Sequence, residues 1–245
     1  MEKKRLYRRS LLCFGAVLLA ILIGICIYLN DYYRADSRAV AALNSTDTVT
    51  VWTMDKGNVV FEPKQVEWGF VFYPGGKVEH AAYAPLMQEL AKYGVLCVLV
   101  EMPFRLAVLD ANAADGLTEQ FPQVEEWYIG GHSLGGAMAA NYVAKHSDEF
   151  DGLALLAAYS TADLSDTDLK VLSVYGTEDR VLNMEKYTES YSNLPSGLNE
   201  TVIQGGCHAY FGSYGPQEGD GEPYTTPEMQ VTQAGDIIVQ WMSVE

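Results

Sequence analysis

The sequence is short of the residues that build metal sites and disulfide frameworks. It has four cysteines and four histidines among 245 residues, and no two cysteines form a C-x-x-C arrangement. Two of the cysteines lie in an apolar N-terminal segment, and the other two, Cys97 and Cys207, are far apart in the chain. We therefore expect neither a disulfide framework nor a zinc site, and the sequence implies no metal ion or organic cofactor.

Positive charge is also scarce beyond the first nine residues. Five of the 16 basic residues lie in that short tail, so the remaining chain carries 11 basic and 31 acidic residues, a formal net charge of −20. Such a surface repels nucleic acid phosphates and anionic lipid headgroups, so we expect no nucleic acid partner. The glycines do not form G-x-G-x-x-G either, which argues against a dinucleotide-binding protein.

One long apolar run dominates the first thirty residues. Leu11 to Leu29 contains no charged residue, and a helix of this length spans about 28 Å, close to the apolar thickness of a bilayer. The basic tail lies ahead of the run, whereas Asn30 and Asp31 behind it carry no positive charge. The positive-inside rule predicts a single-pass anchor with a cytoplasmic N-terminus and an extracytoplasmic domain.

A cleaved leader is the alternative for this segment. Signal peptides have a shorter apolar region, of about 7–15 residues, followed by small residues at the cleavage site. The residues after the run offer no such site, and Ile25 directly before Cys26 is too bulky for a lipoprotein cleavage site. We therefore predict an uncleaved tail and anchor over residues 1–29, a polar connector over 30–50 and one globular domain over 51–245.

Strand and helix patterns alternate along the globular part. Strands are predicted at residues 48–54, 59–61, the C-terminal half of 65–73, 95–100, 127–129, 153–158, 170–175 and 200–204. Helices are predicted at residues 82–93, within 104–121, from 134 to about 146, at 184–192 and at 227–244. Because the strands are apolar throughout, the pattern predicts an α/β fold, a mostly parallel sheet with helices on both faces.

The most informative motif follows the strand predicted at 127–129. Gly131-His-Ser-Leu-Gly135 matches G-x-S-x-G. A strand that turns directly into a helix strains its turn residue, and glycines two positions to either side leave room for the turn. The motif predicts an exposed Ser133 hydroxyl at a helix N-terminus, whose amides stabilise negative charge. Taken alone, it leaves open a glycine-rich turn in which Ser133 is only a helix cap.

With this turn in an alternating chain, the sequence resembles the α/β-hydrolase superfamily, and within it small bacterial members of the dienelactone-hydrolase or carboxylesterase kind. The resemblance covers roughly residues 60–244. In that family the nucleophile, the acid and the histidine follow in this order. The resemblance implies that Ser133 is the nucleophile, that Asp179, in a loop after a late strand, is the acid, and that His208, after the next strand, is the base.

The residues themselves agree with these roles. A serine hydroxyl needs a base to take its proton, and the imidazole needs a carboxylate to fix its tautomer. Of the four histidines only His208 follows a late strand, and His132, beside the serine, is expected to point away from the base position. For the acid, Glu178 and the aspartates at 163, 166 and 168 remain alternatives to Asp179.

Two backbone amides are needed to stabilise the oxyanion. The resemblance implies that the Leu134 amide is one, and that the other comes from the loop after residue 73. The family commonly has His-Gly there, but this chain has Pro74 in place of the histidine. This leaves the second donor open between Gly76 and Lys77, and we favour Gly76.

These observations predict a serine hydrolase, an esterase that cleaves a small-molecule ester of small or medium size. A catalytically inactive binding module with the same fold and a peptidase or amidase are the alternatives. The glycine-rich acidic stretch at 217–223 lacks the ligand spacing of a calcium site and is predicted to be a mobile loop beside the site. The sequence assigns neither the ester nor an oligomeric state.

Overall fold

The computed structural model describes residues 2–244, apart from the side chains of residues 2–6 and 8–12. The chain forms two compact units, one up to Tyr32 and one from Tyr33 onward. The first unit is a single helix, α1 (Glu2–Asn30). Within it, Cys13–Asn30 has a mean hydropathy of 2.4 over 18 residues, so by length and composition it is able to cross a membrane.

Much of the stretch predicted as a connector, residues 30–50, is folded into the second unit. Tyr33 forms an isolated parallel bridge with Val78, and Asp36 caps a short helix, α2 (Ser37–Ala41). The first strand then begins at Val49. The polar composition of the stretch gives no indication of this, because backbone hydrogen bonds and a helix cap hold it in place.

The described residues form eight strands, β1 (Val49–Thr53), β2 (Val59–Pro63), β3 (Trp68–Tyr73), β4 (Val95–Leu99), β5 (Trp127–His132), β6 (Gly152–Leu156), β7 (Lys170–Gly176) and β8 (Asn199–Ile203). They make one sheet in the order β1-β2-β4-β3-β5-β6-β7-β8. The last six strands in this order, from β4 to β8, run parallel to one another, whereas β2 is antiparallel to both β1 and β4. The mostly parallel sheet predicted from the sequence is therefore confirmed.

Helices cover both faces of the sheet, as predicted. The remaining helices are α3 (Ala84–Lys92), α4 (Leu134–Val143), α5 (Met184–Glu189) and α6 (Pro227–Met242). α3 and α6 pack against each other on one face, where Phe70 and Phe72 are buried. Val71, between them, faces the other side, where α4 packs. Alternate side chains of a strand point to opposite faces, so a sheet covered twice needs strands that are apolar throughout.

The prediction of a helix within residues 104–121 is wrong. Short 3₁₀ turns replace it in the described structure, at Pro103–Arg105, Ala107–Leu109 and Thr118–Gln120. Phe104 and Arg105 have φ angles of +51° and +61°, and left-handed residues cannot continue a right-handed helix. The apolar residues of this segment still reach the core through Ala107, Ala114 and Leu117.

Candidate active site

Ser133 occupies the turn between β5 and α4. Its backbone has φ 52° and ψ −121°, a conformation that costs energy in any residue other than glycine. Its amide donates to the Leu156 carbonyl at 2.9 Å, and its carbonyl accepts the Ala137 amide at 3.1 Å. Both main-chain groups therefore fix the serine at the carboxyl edge of the sheet, where its side chain is partly exposed.

The glycines on either side of Ser133 are required by close packing. A Cβ atom on Gly131 would lie 2.5 Å from the Tyr73 carbonyl oxygen. One on Gly135 would lie 2.3 Å from the carbonyl oxygens of both Tyr73 and Pro74. The turn and the first residues of α4 therefore press directly on the end of β3, which is the close approach that the G-x-S-x-G spacing predicted.

Asp179 and His208 form a buried hydrogen-bonded pair beside this turn. The Asp179 Oδ2 atom lies 2.8 Å from His208 Nδ1, and the two side chains are 1% and 2% exposed. The other carboxylate oxygen accepts the amides of Val181 at 2.9 Å and Leu182 at 2.8 Å. Because both carboxylate oxygens of Asp179 form hydrogen bonds, the orientation of the carboxylate towards the imidazole is well determined.

The other ring nitrogen of His208 is available. Its Nε2 atom is buried and has no hydrogen-bond partner among the described residues. With Nδ1–H donated to Asp179, the lone pair of Nε2 is free to accept a proton. The structure thus brings Asp179 and His208 into contact but shows no hydrogen bond from Ser133 to His208, a bond that in enzymes frequently tightens only around substrate.

His132 does not point away from the base, contrary to the sequence prediction. Its ring lies 4.6 Å from that of His208 and 5.7 Å from that of Phe211, centroid to centroid. Burial, together with the adjacent His208, holds the pKa of His132 well below its ordinary value. His132 is therefore a neutral packing partner of His208 on the residue that precedes Ser133.

A tyrosine that the sequence analysis did not single out connects this histidine to the loop after β3. The Tyr83 hydroxyl accepts the Gly75 amide at 3.1 Å and lies 2.8 Å from His132 Nδ1. Burial raises the pKa of Tyr83, so the hydroxyl keeps its hydrogen at neutral pH. This link holds the loop in which Pro74 replaces the histidine common in the family.

Gly76, one of the two residues expected to supply an oxyanion amide, lies against the side chain of the other, Leu134. A Cβ atom on Gly76 would come within 2.8 Å of the Leu134 side chain. The amide of Lys77, the other residue considered for this role, donates to the Arg105 carbonyl at 2.8 Å. That bond engages the Lys77 amide elsewhere, so the geometry favours Gly76 over Lys77.

Comparison with known proteins identifies the family. Residues 69–232 match the model of the alpha/beta hydrolase family. The chain belongs to that family. Among solved structures, the hydrolase resembles a dienelactone hydrolase from Anabaena variabilis, with TM-score 0.59 and 12% identity over 80% of this chain and 97% of that one. It also resembles Est1E from Butyrivibrio proteoclasticus, with TM-score 0.55 and 13% identity over 81% and 100%. A search of curated proteins returned no match.

In this hydrolase the residue before His208 is clamped by α6. The side chain of Gln230, completely buried, accepts the Cys207 amide at 3.0 Å and donates to the Cys207 carbonyl at 2.7 Å. Burial, with the charge of Asp220, raises the pKa of the Cys207 thiol to about 12. The thiol therefore stays protonated at neutral pH and is a poor nucleophile.

The acidic stretch 217–223, predicted to be a mobile loop, is held by hydrogen bonds and close packing along its length. The Glu218 amide donates to the Tyr33 hydroxyl at 3.1 Å, and the Tyr224 amide donates to the Gly205 carbonyl at 2.9 Å. In between, a Cβ atom on Gly221 would lie 2.0 Å from the Glu178 carbonyl oxygen. We call residues 217–224 the strap, because they run from the start of the domain to the loops that carry the acid and the histidine.

Proposed function

We propose that this hydrolase is a serine esterase that cleaves small or medium carboxylic esters through an acyl-enzyme on Ser133. The observation that carries the proposal is the buried Nε2 atom of His208, which has no hydrogen-bond partner among the described residues. Asp179 orients the imidazole through its bond to the other ring nitrogen, Nδ1. The strained turn of Ser133 lies at the same edge of the sheet. A paired imidazole with a free nitrogen beside such a turn is the arrangement that activates a serine hydroxyl.

The chemistry follows from these positions. His208 Nε2 takes the proton of the Ser133 hydroxyl, and the serine oxygen attacks the ester carbonyl carbon. The amides of Leu134 and Gly76 bind the oxyanion, and the imidazolium returns the proton to the leaving alcohol as the carbon–oxygen bond breaks. A water molecule, deprotonated by His208, then attacks the acyl-enzyme and releases the carboxylic acid and the free serine.

The decisive experiment compares the wild type with Ser133→Ala. We expect the variant to lose p-nitrophenyl ester turnover and fluorophosphonate labelling while its circular dichroism spectrum and melting temperature stay close to wild type. Ser160→Ala is the control, because the Ser160 hydroxyl is buried, donates to the Ala162 carbonyl and has no part in the proposed steps; this variant should keep activity. Labelling that persists in Ser133→Ala would refute the assignment.

The same assay separates the other two functions. A folded wild-type protein that neither turns over esters nor reacts with fluorophosphonate would be a binding module that has lost the chemistry. Labelling at Ser133 combined with faster cleavage of peptides or amides than of esters would make the protein a peptidase or amidase.

We further propose that residues 11–29 anchor the hydrolase in a membrane, with the N-terminus in the cytoplasm and the catalytic domain outside it. The continuous apolar helix α1 and the basic residues that precede the apolar run support this topology.

A further inference from the structure

One carboxylate of the strap has no role in the steps above, yet it is bonded to the loop that carries the base. Asp220 Oδ1 accepts the His208 amide at 3.2 Å, and Oδ2 accepts the Ala209 amide at 2.9 Å. Oδ1 also accepts the amides of Arg180 at 3.3 Å and Gly221 at 2.9 Å. The side chain of Asp220 is thus surrounded by backbone N–H groups.

These donors come from both catalytic loops. His208 and Ala209 follow β8, and Arg180 is the residue after Asp179 in the loop that follows β7. Asp220 therefore links the backbone next to Asp179 to the backbone of His208, while the side chains of Asp179 and His208 are bonded to each other directly. We propose that Asp220 is a positioning residue, which keeps His208 Nε2 directed at Ser133; this rests on the proposed function.

The carboxylate is chemically suited to this role. Two ionised oxygens accept four N–H groups, and bonds to an ionised acceptor are stronger than neutral ones. In Asp220→Asn one oxygen becomes an NH₂ group, which cannot accept the amides it would face. The Asn variant keeps the shape of the side chain and removes half of its acceptors together with its charge.

Other contacts hold the surrounding structure without Asp220. Gln230 clamps Cys207 from α6, and the strap is bound at Glu218 and Tyr224. Loss of the carboxylate should therefore release the backbone at His208 without unfolding the domain. This distinguishes a positioning role from general support of the fold.

The test compares full-length wild type, Asp220→Asn and Glu222→Gln. Glu222 is an exposed acid on the same strap, so its Gln variant matches the loss of charge. A displacement of about 1 Å in a catalytic group costs roughly 100-fold in rate. We expect Asp220→Asn to lower kcat and the rate of fluorophosphonate labelling by about 10- to 100-fold with KM changed less than about twofold, and Glu222→Gln to match the wild type.

The low-field proton resonance of His208 Nδ1–H gives a readout that general stability does not move. We expect it to shift or broaden in folded Asp220→Asn and to stay in place in Glu222→Gln. A folded Asp220→Asn with wild-type kcat, labelling rate and resonance would overturn the proposal. If the Asn variant does not fold, Asp220→Glu takes its place with the same criteria, because it keeps the carboxylate but displaces it by one methylene.

Failure of the proposed function gives a different result. In that case wild-type Ser133 would not react with fluorophosphonate at all, and the His208 resonance alone would decide whether Asp220 positions the imidazole.

Discussion

The hydroxyl of Tyr83 is the clearest case in this protein of a single atom that connects two parts of the site. It accepts a hydrogen bond from the Gly75 amide, in the loop that follows β3, and contacts His132, the residue before Ser133. The loop lacks the histidine that is common in the family, and the Tyr83 hydroxyl accepts one of its amides. A change at Tyr83 should therefore affect the chemistry although the residue does not touch the reacting atoms.

We expect Tyr83→Phe to reduce kcat by about 10- to 100-fold. Without the hydroxyl the loop after β3 can shift slightly, and a small shift misplaces the Gly76 amide. The buried Gly75 amide also loses its acceptor, which costs about 1–3 kcal/mol in the free energy of unfolding. Ester kinetics and urea unfolding measure the two effects.

Tyr128→Phe is the matched control for this substitution. Its ring is equally buried, but its hydroxyl donates to Glu126 and to the Met242 carbonyl, away from the carboxyl edge. A loss of kcat of the same size in both variants would contradict a specific role for Tyr83.

The strand–turn–helix that carries Ser133 requires residues without a side chain at close contacts, in addition to its hydrogen bonds. β5 and α4 meet at a turn that is pressed against the end of β3, and the glycines at 131 and 135 leave room for that contact. The strained φ of Ser133 is maintained because the packed elements on both sides determine it.

We therefore expect Gly135→Ala to destabilise the domain by about 1–3 kcal/mol or more, the range found for overpacked cores. The added methyl group would lie 2.3 Å from two carbonyl oxygens, and main-chain atoms cannot move aside as a flexible side chain does. Urea unfolding measures the change. Gly197→Ala, where an added Cβ has no atom within 4 Å, should unfold at the wild-type urea concentration, and equal midpoints for the two variants would contradict the packing argument.

The whole chain combines a strongly acidic domain with a basic, apolar N-terminal segment. Beyond the first nine residues the net charge is −20, which keeps the domain soluble and repels phosphate groups. An acidic surface of this kind has no affinity of its own for anionic lipid, so the membrane attachment that we propose rests on the apolar run in α1.

We expect the full-length protein to stay in the membrane fraction after alkaline carbonate washing, and its domain to be digested by protease added to intact spheroplasts. Leu18→Arg with Leu22→Arg places two charges in the middle of the span, where each costs about 2.5–3.5 kcal/mol, and should release the protein. Met229→Arg, at an exposed position on α6, should leave it bound. Release of the wild type by carbonate would contradict an uncleaved anchor.

The sequence alone was sufficient for features that depend on local patterns. Strands apolar throughout, alternating with helices, predicted a mostly parallel sheet covered on both faces, because burial on both sides demands that composition. The G-x-S-x-G spacing predicted the close turn at Ser133, since only glycine fits there. The order of Ser133, Asp179 and His208 matches that of the family the sequence resembles, and from it we expected the three at one edge of the sheet; of these, the structure shows the contact between Asp179 and His208.

Only the tertiary structure decided which groups meet. Tyr83, Asp220 and Gln230 bond to backbone groups that lie 8 to 40 residues away in the chain, and such bonds leave no periodicity or motif in the sequence. The same reason explains why His132 was expected to point away, why residues 30–50 were assigned to a connector and why 217–223 was predicted to be mobile. A side chain's partners are set by how the loops close in space, and the sequence near each residue does not contain that information.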